Sequence, residues 1–313
     1  MTAPHVRPDA QAFLAFLAAS PAAQRQQMAP AESRAMYVAM KDIVDPPVGT
    51  LGAIIDAIVP GPAGDIPVRL FDPREQREAG PAVVFFHGGG FVLGNIETHA
   101  SFCAEMARVM DLPVISVDYR LAPENPWPAA PDDCEAAARW VAGSPAALGR
   151  TITGLVLSGD SAGGTLAIVT AMALRDAPAA VPVIAQMPFY PAADMATEHP
   201  SYSEFAEGFF LTRETMDWFS AAYQADLSHP RGSPMAGDIA GLPPAVVVTA
   251  SLDPIRDQGR AYAAALIKAG IPTVFQEAKG NIHGFANLRQ AIGSSQADVA
   301  KAFAALKQVI AAA

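Results

Sequence analysis

The sequence predicts an α/β fold: an open, mostly parallel sheet with helices on both faces. Three observations carry this. Short, unbroken apolar runs such as Ala82–Phe86, Val114–Val117 and Leu155-Val156-Leu157 suit central strands covered on both sides. Helical segments separate the runs, and strand–helix alternation of this length builds a parallel sheet. The chain has 313 residues, 51% of them hydrophobic and 17% charged, which is ample for a large core and too apolar for disorder. One large sheet-centred domain with elaborations is expected rather than two equal domains.

From the N-terminus, Asp9–Ala19 and Ala31–Val44 carry apolar residues at helical spacing: Phe13, Phe16 and Leu17, then Met36, Met40 and Ile43. Pro46-Pro47 ends this region. Neither helix can bury its stripe alone, so residues 1–50 read as a helical appendage. Ala53–Val59 and Pro67–Phe71 follow as an antiparallel pair at a sheet edge, turned by Pro60-Gly61-Pro62. Helices are expected at Thr98–Met110, Asp132–Ala142 and Ser161–Arg175. Further strands are expected at Val183–Pro188, Ala245–Ala250 and Thr273–Gln276, with helices at Arg256–Lys268 and Gln296–Ile310.

One stretch breaks the alternation. From Met195 to Ser228 no sheet strand is visible, but Tyr202, Phe205, Phe209, Phe210, Trp218, Phe219 and Tyr223 crowd together. Thr212–Ala225 reads as its helix, with Thr212 as N-cap. This segment is expected over the carboxyl ends of the strands, where open α/β sheets bind ligands.

Charge and cysteines narrow the partners. The formal net charge of −10 and the lack of a basic cluster disfavour nucleic acid. Cys103 and Cys134 fall in expected helices and read as free, buried thiols. Met1 to Ala10 lacks the pattern of a secretory signal, and no uncharged apolar run approaches membrane-spanning length. A cytoplasmic protein without stable membrane insertion is the expectation.

The chemistry begins at Gly159-Asp160-Ser161-Ala162-Gly163-Gly164. Ser161 sits between an apolar strand and an alanine-rich helix, the context in which a serine is held at a strained turn with its hydroxyl exposed. A serine nucleophile needs a base. His283, in Gly280-Asn281-Ile282-His283-Gly284-Phe285, lies on a loop after the last strand and completes the chain order Ser, acid, His. Asp253 follows the strand Ala245–Ala250 and is the favoured acid, to hold the imidazole in one tautomer. Asp257 is its rival, but belongs on the first turn of the next helix.

An oxyanion site is expected at His87-Gly88-Gly89-Gly90-Phe91, directly after the strand Ala82–Phe86. Its glycines let backbone N–H groups converge, joined by the N–H of Ala162. A phosphate loop is not indicated, since neither Gly-x-x-x-x-Gly-Lys-Ser/Thr nor Gly-x-Gly-x-x-Gly occurs. His87 reads as a hydrogen-bonding organiser of this loop. No metal-ligand spacing is present, and neither a metal nor a cofactor is expected.

Together, His87–Phe91, Tyr119-Arg120-Leu121-Ala122-Pro123-Glu124, Gly159–Gly164, Asp253-Pro254-Ile255-Arg256-Asp257 and His283-Gly284-Phe285 resemble the bacterial hormone-sensitive lipase family of α/β-hydrolase carboxylesterases. The resemblance runs from about residue 80 to 290, in family order. It implies Ser161 as nucleophile, His283 as base and Asp253 as orienting acid, with Gly89, Gly90 and Ala162 as oxyanion donors and Gly88 shaping the loop. It also implies a helical cap built from residues 1–50 and 195–228 on a catalytic body of 51–194 and 229–313. Pro188-Phe189-Tyr190-Pro191 with Asp194 fits the entry into that cap. Gln258 stands where many members carry Glu.

The expected activity is hydrolysis of short- to medium-chain acyl esters. The aromatics of 195–228, with Phe13, Phe16, Met36, Tyr37 and Met40, are expected to enclose the pocket. The alternatives are the same triad working as an amidase, lactonase or acyltransferase, or a non-catalytic receptor, which the presence of His283 opposes. The resemblance further suggests a homodimer.

Overall fold

Continuous apolar runs become the middle of a sheet here because helices cover both of its faces. The structure is a computed structural model that describes residues 4–19 and 28–312; parts of the expected N-terminal appendage, 1–3 and 20–27, lie outside the described residues. Eight strands are seen among those residues: β1 (Ala53–Gly61), β2 (Gly64–Asp72), β3 (Gly80–Phe86), β4 (Val114–Val117), β5 (Ile152–Asp160), β6 (Val183–Phe189), β7 (Ala245–Leu252) and β8 (Thr273–Ile282). They form one sheet in the order β1-β2-β4-β3-β5-β6-β7-β8. The β1/β2 and β2/β4 pairs are antiparallel and the others parallel. This is the mostly parallel, doubly covered sheet that the sequence predicts, in the arrangement that the α/β-hydrolase resemblance implies.

The helices are α1 (Pro8–Ala18), α2 (Pro30–Val44), α3 (Ile96–Met110), α4 (Ala129–Ala142), α5 (Ala162–Asp176), α6 (Pro200–Glu204), α7 (Arg213–Tyr223), α8 (Arg256–Lys268) and α9 (Ser295–Ala312). Successive side chains of a strand point to opposite faces. Ala82, Val84 and Phe86 of β3 therefore pack with residues of α4, α5 and α8, such as Val141, Leu166 and Leu266. Val83 and Phe85 pack with Phe102 and Met106 of α3 and Phe303 of α9. Cys103 and Cys134 are both buried and free.

Several boundaries differ from expectation, each for a local reason. The β1–β2 turn is not Pro60-Gly61-Pro62: Pro60 and Gly61 stay in β1, and Gly61 pairs with Gly64. Proline is tolerated there because β1 is an edge strand. Helix α3 starts two residues before Thr98. Asn95 caps it, accepting the Thr98 N–H at 3.0 Å while Thr98 Oγ1 accepts the Asn95 N–H at 3.0 Å. Strand β8 runs six residues past Gln276, since β7 pairs with it as far as Ile282. The short α6 was not foreseen. Thr212 does cap α7, accepting the Thr215 N–H at 3.1 Å.

All the parallel strands point their carboxyl ends the same way. The ends of β3, β5, β7 and β8 thus deliver the loop 87–95, Ser161, Asp253 and His283 to one edge of the sheet. Helices α6 and α7 belong to the excursion that leaves the sheet after β6.

Candidate active site

Ser161 lies between β5 and α5 with φ 54° and ψ −120°. A non-glycine residue held there costs about 1–3 kcal/mol, so its surroundings must impose it. They do so through the Ser161 N–H, which donates to Phe189 O at 2.9 Å, and through a tight strand–helix crossing. That crossing explains Gly163: a Cβ there would overlap the Phe86 carbonyl of β3.

Ser161 Oγ is 2.8 Å from Nε2 of His283, and Nδ1 of His283 is 2.7 Å from Oδ2 of Asp253. Asp253 is fully buried, and its other oxygen accepts the Ile255 N–H at 2.9 Å. Asp257 lies elsewhere, on the first turn of α8. It accepts the Ser201 N–H at 3.0 Å and pairs with Arg256 at 2.8 Å. Geometry therefore joins Asp253, not Asp257, to the histidine.

The glycine loop comes alongside. Gly89, Gly90 and Ala162 line the same cavity as Ser161 and His283. Among the described residues, the N–H groups of these three make no hydrogen bond. The neighbouring Gly88 N–H, by contrast, is engaged by Asp160 Oδ1 at 2.8 Å. His87 is fully buried and stacks on Tyr119 at 4.2 Å; its Nδ1 lies 2.9 Å from Gly88 O, and its own carbonyl accepts the Tyr119 hydroxyl at 2.6 Å. Burial, with His99 adding to it, pushes the His87 imidazole down to about 3, so it stays neutral.

Sequence reasoning missed the hub beneath this loop. The buried Asp160 carboxylate accepts the Gly88 N–H and the Asn287 amide (3.1 Å), and His99 Nε2 lies 3.2 Å away. Burial alone would raise its pKa, but His99 and the Gly88 N–H outweigh that and hold it below the usual range. An acid inside an otherwise apolar strand–turn–helix was the available signal; its partners at positions 88, 99 and 287 were not readable.

The cavity measures about 650 Å³. Of the excursion's aromatics, Tyr202, Phe210, Trp218, Phe219 and Tyr223 line it, joined by Met195 and Leu211, whereas Phe205 and Phe209 do not; these two pack against each other beside the core instead. The N-terminal contribution differs from expectation. Tyr37 lines the cavity, but Phe13, Phe16, Met36 and Met40 do not; Leu14 and Leu17 take their place. The reason is helical phase: Phe13 turns into the core against Phe210, and Phe16 is 53% exposed. Among the described residues, no group of three or more His, Cys, Asp or Glu is arranged to hold a metal ion. No helix among them is long and apolar enough to cross a membrane.

Comparison with known proteins agrees with this architecture. A family model described as the alpha/beta hydrolase fold matches residues 83–287. The chain is 36% identical to Esterase LipI of Mycobacterium tuberculosis over 279 residues, covering 87% of each. It is 39% identical to Carboxylic ester hydrolase LipN of the same organism over 264 residues, covering 81% of this chain and 70% of that one. The hyperthermophilic esterase of Pyrobaculum calidifontis superposes with a TM-score of 0.90 at 36% identity, over 98% of this chain and 99% of that one.

Proposed function

Because the chain belongs to the α/β-hydrolase family, within its hormone-sensitive-lipase-like esterases, we propose that it is a serine carboxylesterase for short- to medium-chain acyl esters. The observation that carries this is the linked chain Ser161–His283–Asp253, at 2.8 and 2.7 Å, beside the N–H groups of Gly89, Gly90 and Ala162, which have no partner among the described residues.

Ser161 Oγ attacks the ester carbonyl while His283 Nε2 takes its proton. Asp253 holds the imidazole in the required tautomer and stabilises the imidazolium. The N–H groups of Gly89, Gly90 and Ala162 receive the oxyanion, each worth about 3 kcal/mol in the transition state. His283 then protonates the leaving alcohol. Water, deprotonated by His283, hydrolyses the acyl-enzyme by the same route. His87 and Gly88 keep the loop in shape. The excursion 195–228, with the N-terminal helices, serves as a cap over the acyl and alcohol groups.

A fluorophosphonate probe followed by peptide mass spectrometry tests the nucleophile. The expected adduct is on Ser161, and Ser161→Ala is expected to lower ester turnover by several orders of magnitude, roughly up to a millionfold. Near-wild-type turnover in that variant, or a label on another serine, overturns the assignment. Amides and lactones in the same substrate panel separate ester hydrolysis from other uses of the triad.

A further inference from the structure

Three consecutive residues of the loop after β3 hold left-handed backbone: Gly89 at φ 119°, Gly90 at 62° and Phe91 at 63°. Phe91 carries a side chain, so this conformation lasts only where its surroundings over-determine it. Those surroundings come from the two cap pieces. From α7, the Tyr223 ring stacks on Phe91 with 3.7 Å between centroids and 4° between planes. One turn earlier on the same helix, Phe219 lies against Gly90, where a Cβ would overlap its ring. Tyr223 is itself fixed, its carbonyl accepting the Trp127 N–H at 2.9 Å.

From α2, Arg34 reaches the far end of the loop. Its Nε donates to Val92 O at 2.8 Å, its Nη2 donates to Ala122 O at 2.8 Å, and the guanidinium pairs with Glu124 at 2.7 Å. The Ala122 N–H in turn donates to Phe91 O at 2.9 Å. The loop is thus gripped by residues more than 50 positions away on one side and more than 100 on the other.

We propose that Tyr223 and Arg34 are positioning residues through which the cap holds the Gly89 and Gly90 N–H groups on the oxyanion. This rests on the esterase assignment above. Without the stack, Phe91 relaxes toward ordinary negative φ, and the rotation about its N–Cα bond swings the chain before it, carrying the Gly89 and Gly90 N–H groups off the oxyanion. The tetrahedral intermediate uses those donors more than the bound ester does, so the loss falls on kcat rather than KM.

The test compares Tyr223→Leu, Tyr223→Phe and Arg34→Gln in steady-state hydrolysis of p-nitrophenyl butyrate. It also measures inhibition by an alkyl trifluoromethyl ketone, whose hemiketal oxyanion occupies the hole. Removing an oxyanion donor outright costs roughly 100- to 1000-fold, so displacing one by Tyr223→Leu should lower kcat about 10- to 100-fold. KM should stay within about threefold, and the ketone should weaken by about the same factor as kcat. Tyr223→Phe keeps the stacked ring and should restore most of the rate. A purely structural role predicts a lower melting temperature without the selective loss of kcat and ketone affinity. Should Tyr223→Leu fail to fold, Arg34→Gln carries the same comparison. Unchanged kcat and ketone affinity, or a loss confined to KM, overturns the proposal. If Ser161→Ala is dead while the loop variants behave as wild type, only this inference fails; an active Ser161→Ala removes the esterase assignment itself.

Discussion

His283 Nδ1 sits 2.7 Å from a carboxylate oxygen of Asp253, and that carboxylate is entirely enclosed. An enclosed acceptor fixes which ring nitrogen carries the proton, and so which one faces Ser161. Asp253→Asn keeps the shape but reverses that preference, and kcat is expected to fall by about 10⁴. Asp257→Asn should keep most of the activity while losing about 1 kcal/mol of stability, because it loosens the Ser201, Arg256 and Arg260 contacts and none to His283. Equal loss of kcat in the two variants would contradict the geometry.

Asp118 supplies a pH test. Burial, with Glu97 adding to it, pushes its carboxyl up to about 6 from 3.8. The folded state therefore binds this proton up to about pH 6 and the unfolded chain only to about pH 4, so the contribution to stability is present in acid and lost as pH rises through 6. Asp118→Asn removes that loss. The side chain is 35% exposed, so solvent screening reduces the full linkage and the expected gain at about pH 8 is about 1 kcal/mol. Urea denaturation should show that gain shrinking to nothing by about pH 4. A gain independent of pH speaks against the burial of this charge.

Arg289 and Asp45 form a bidentate pair with both contacts at 2.9 Å, 5% and 4% exposed respectively. It ties the end of α2 to the segment after His283. Arg289→Met leaves a buried carboxylate without its partner, at an expected cost of about 3–5 kcal/mol. Adding Asp45→Leu should recover most of it, because two apolar side chains replace the pair without a stranded charge. A double variant no more stable than the single one would mean the packing, not the charge, sets the cost.

The walls of the cavity set the substrate test. A space of about 650 Å³ lined by Met195, Leu211, Trp218 and Phe219 is the basis for expecting short and medium acyl chains. Nitrophenyl acetate, butyrate and octanoate should be turned over well, and palmitate poorly. Each methylene in an apolar pocket is worth only about 1–3 kcal/mol, so the decline should be graded. A rate that rises steadily to palmitate would point to an open groove instead.

Much of this was local and therefore legible. The runs Ala82–Phe86, Val114–Val117 and Ala245–Ala250 are apolar on both faces, and only a sheet covered on both sides uses such runs. Ser161, Asp253 and His283 each lie just beyond a strand, so element order alone set them at one sheet edge. The chemistry of each residue type then named its prospective partner. Those readings needed no knowledge of which helix packs where.

What only the tertiary structure decided depends on contacts between distant segments. Phase within α1 turned Phe13 into the core and gave Leu14 and Leu17 to the cavity, which spacing could not distinguish in a run apolar on most sides. Asp160 gained Gly88, His99 and Asn287 as partners only because three strand ends and α3 meet at one point. The hold of Tyr223 and Arg34 on the glycine loop arose the same way. Sequence periodicity reports which face of an element is apolar; it does not report which other element that face will meet.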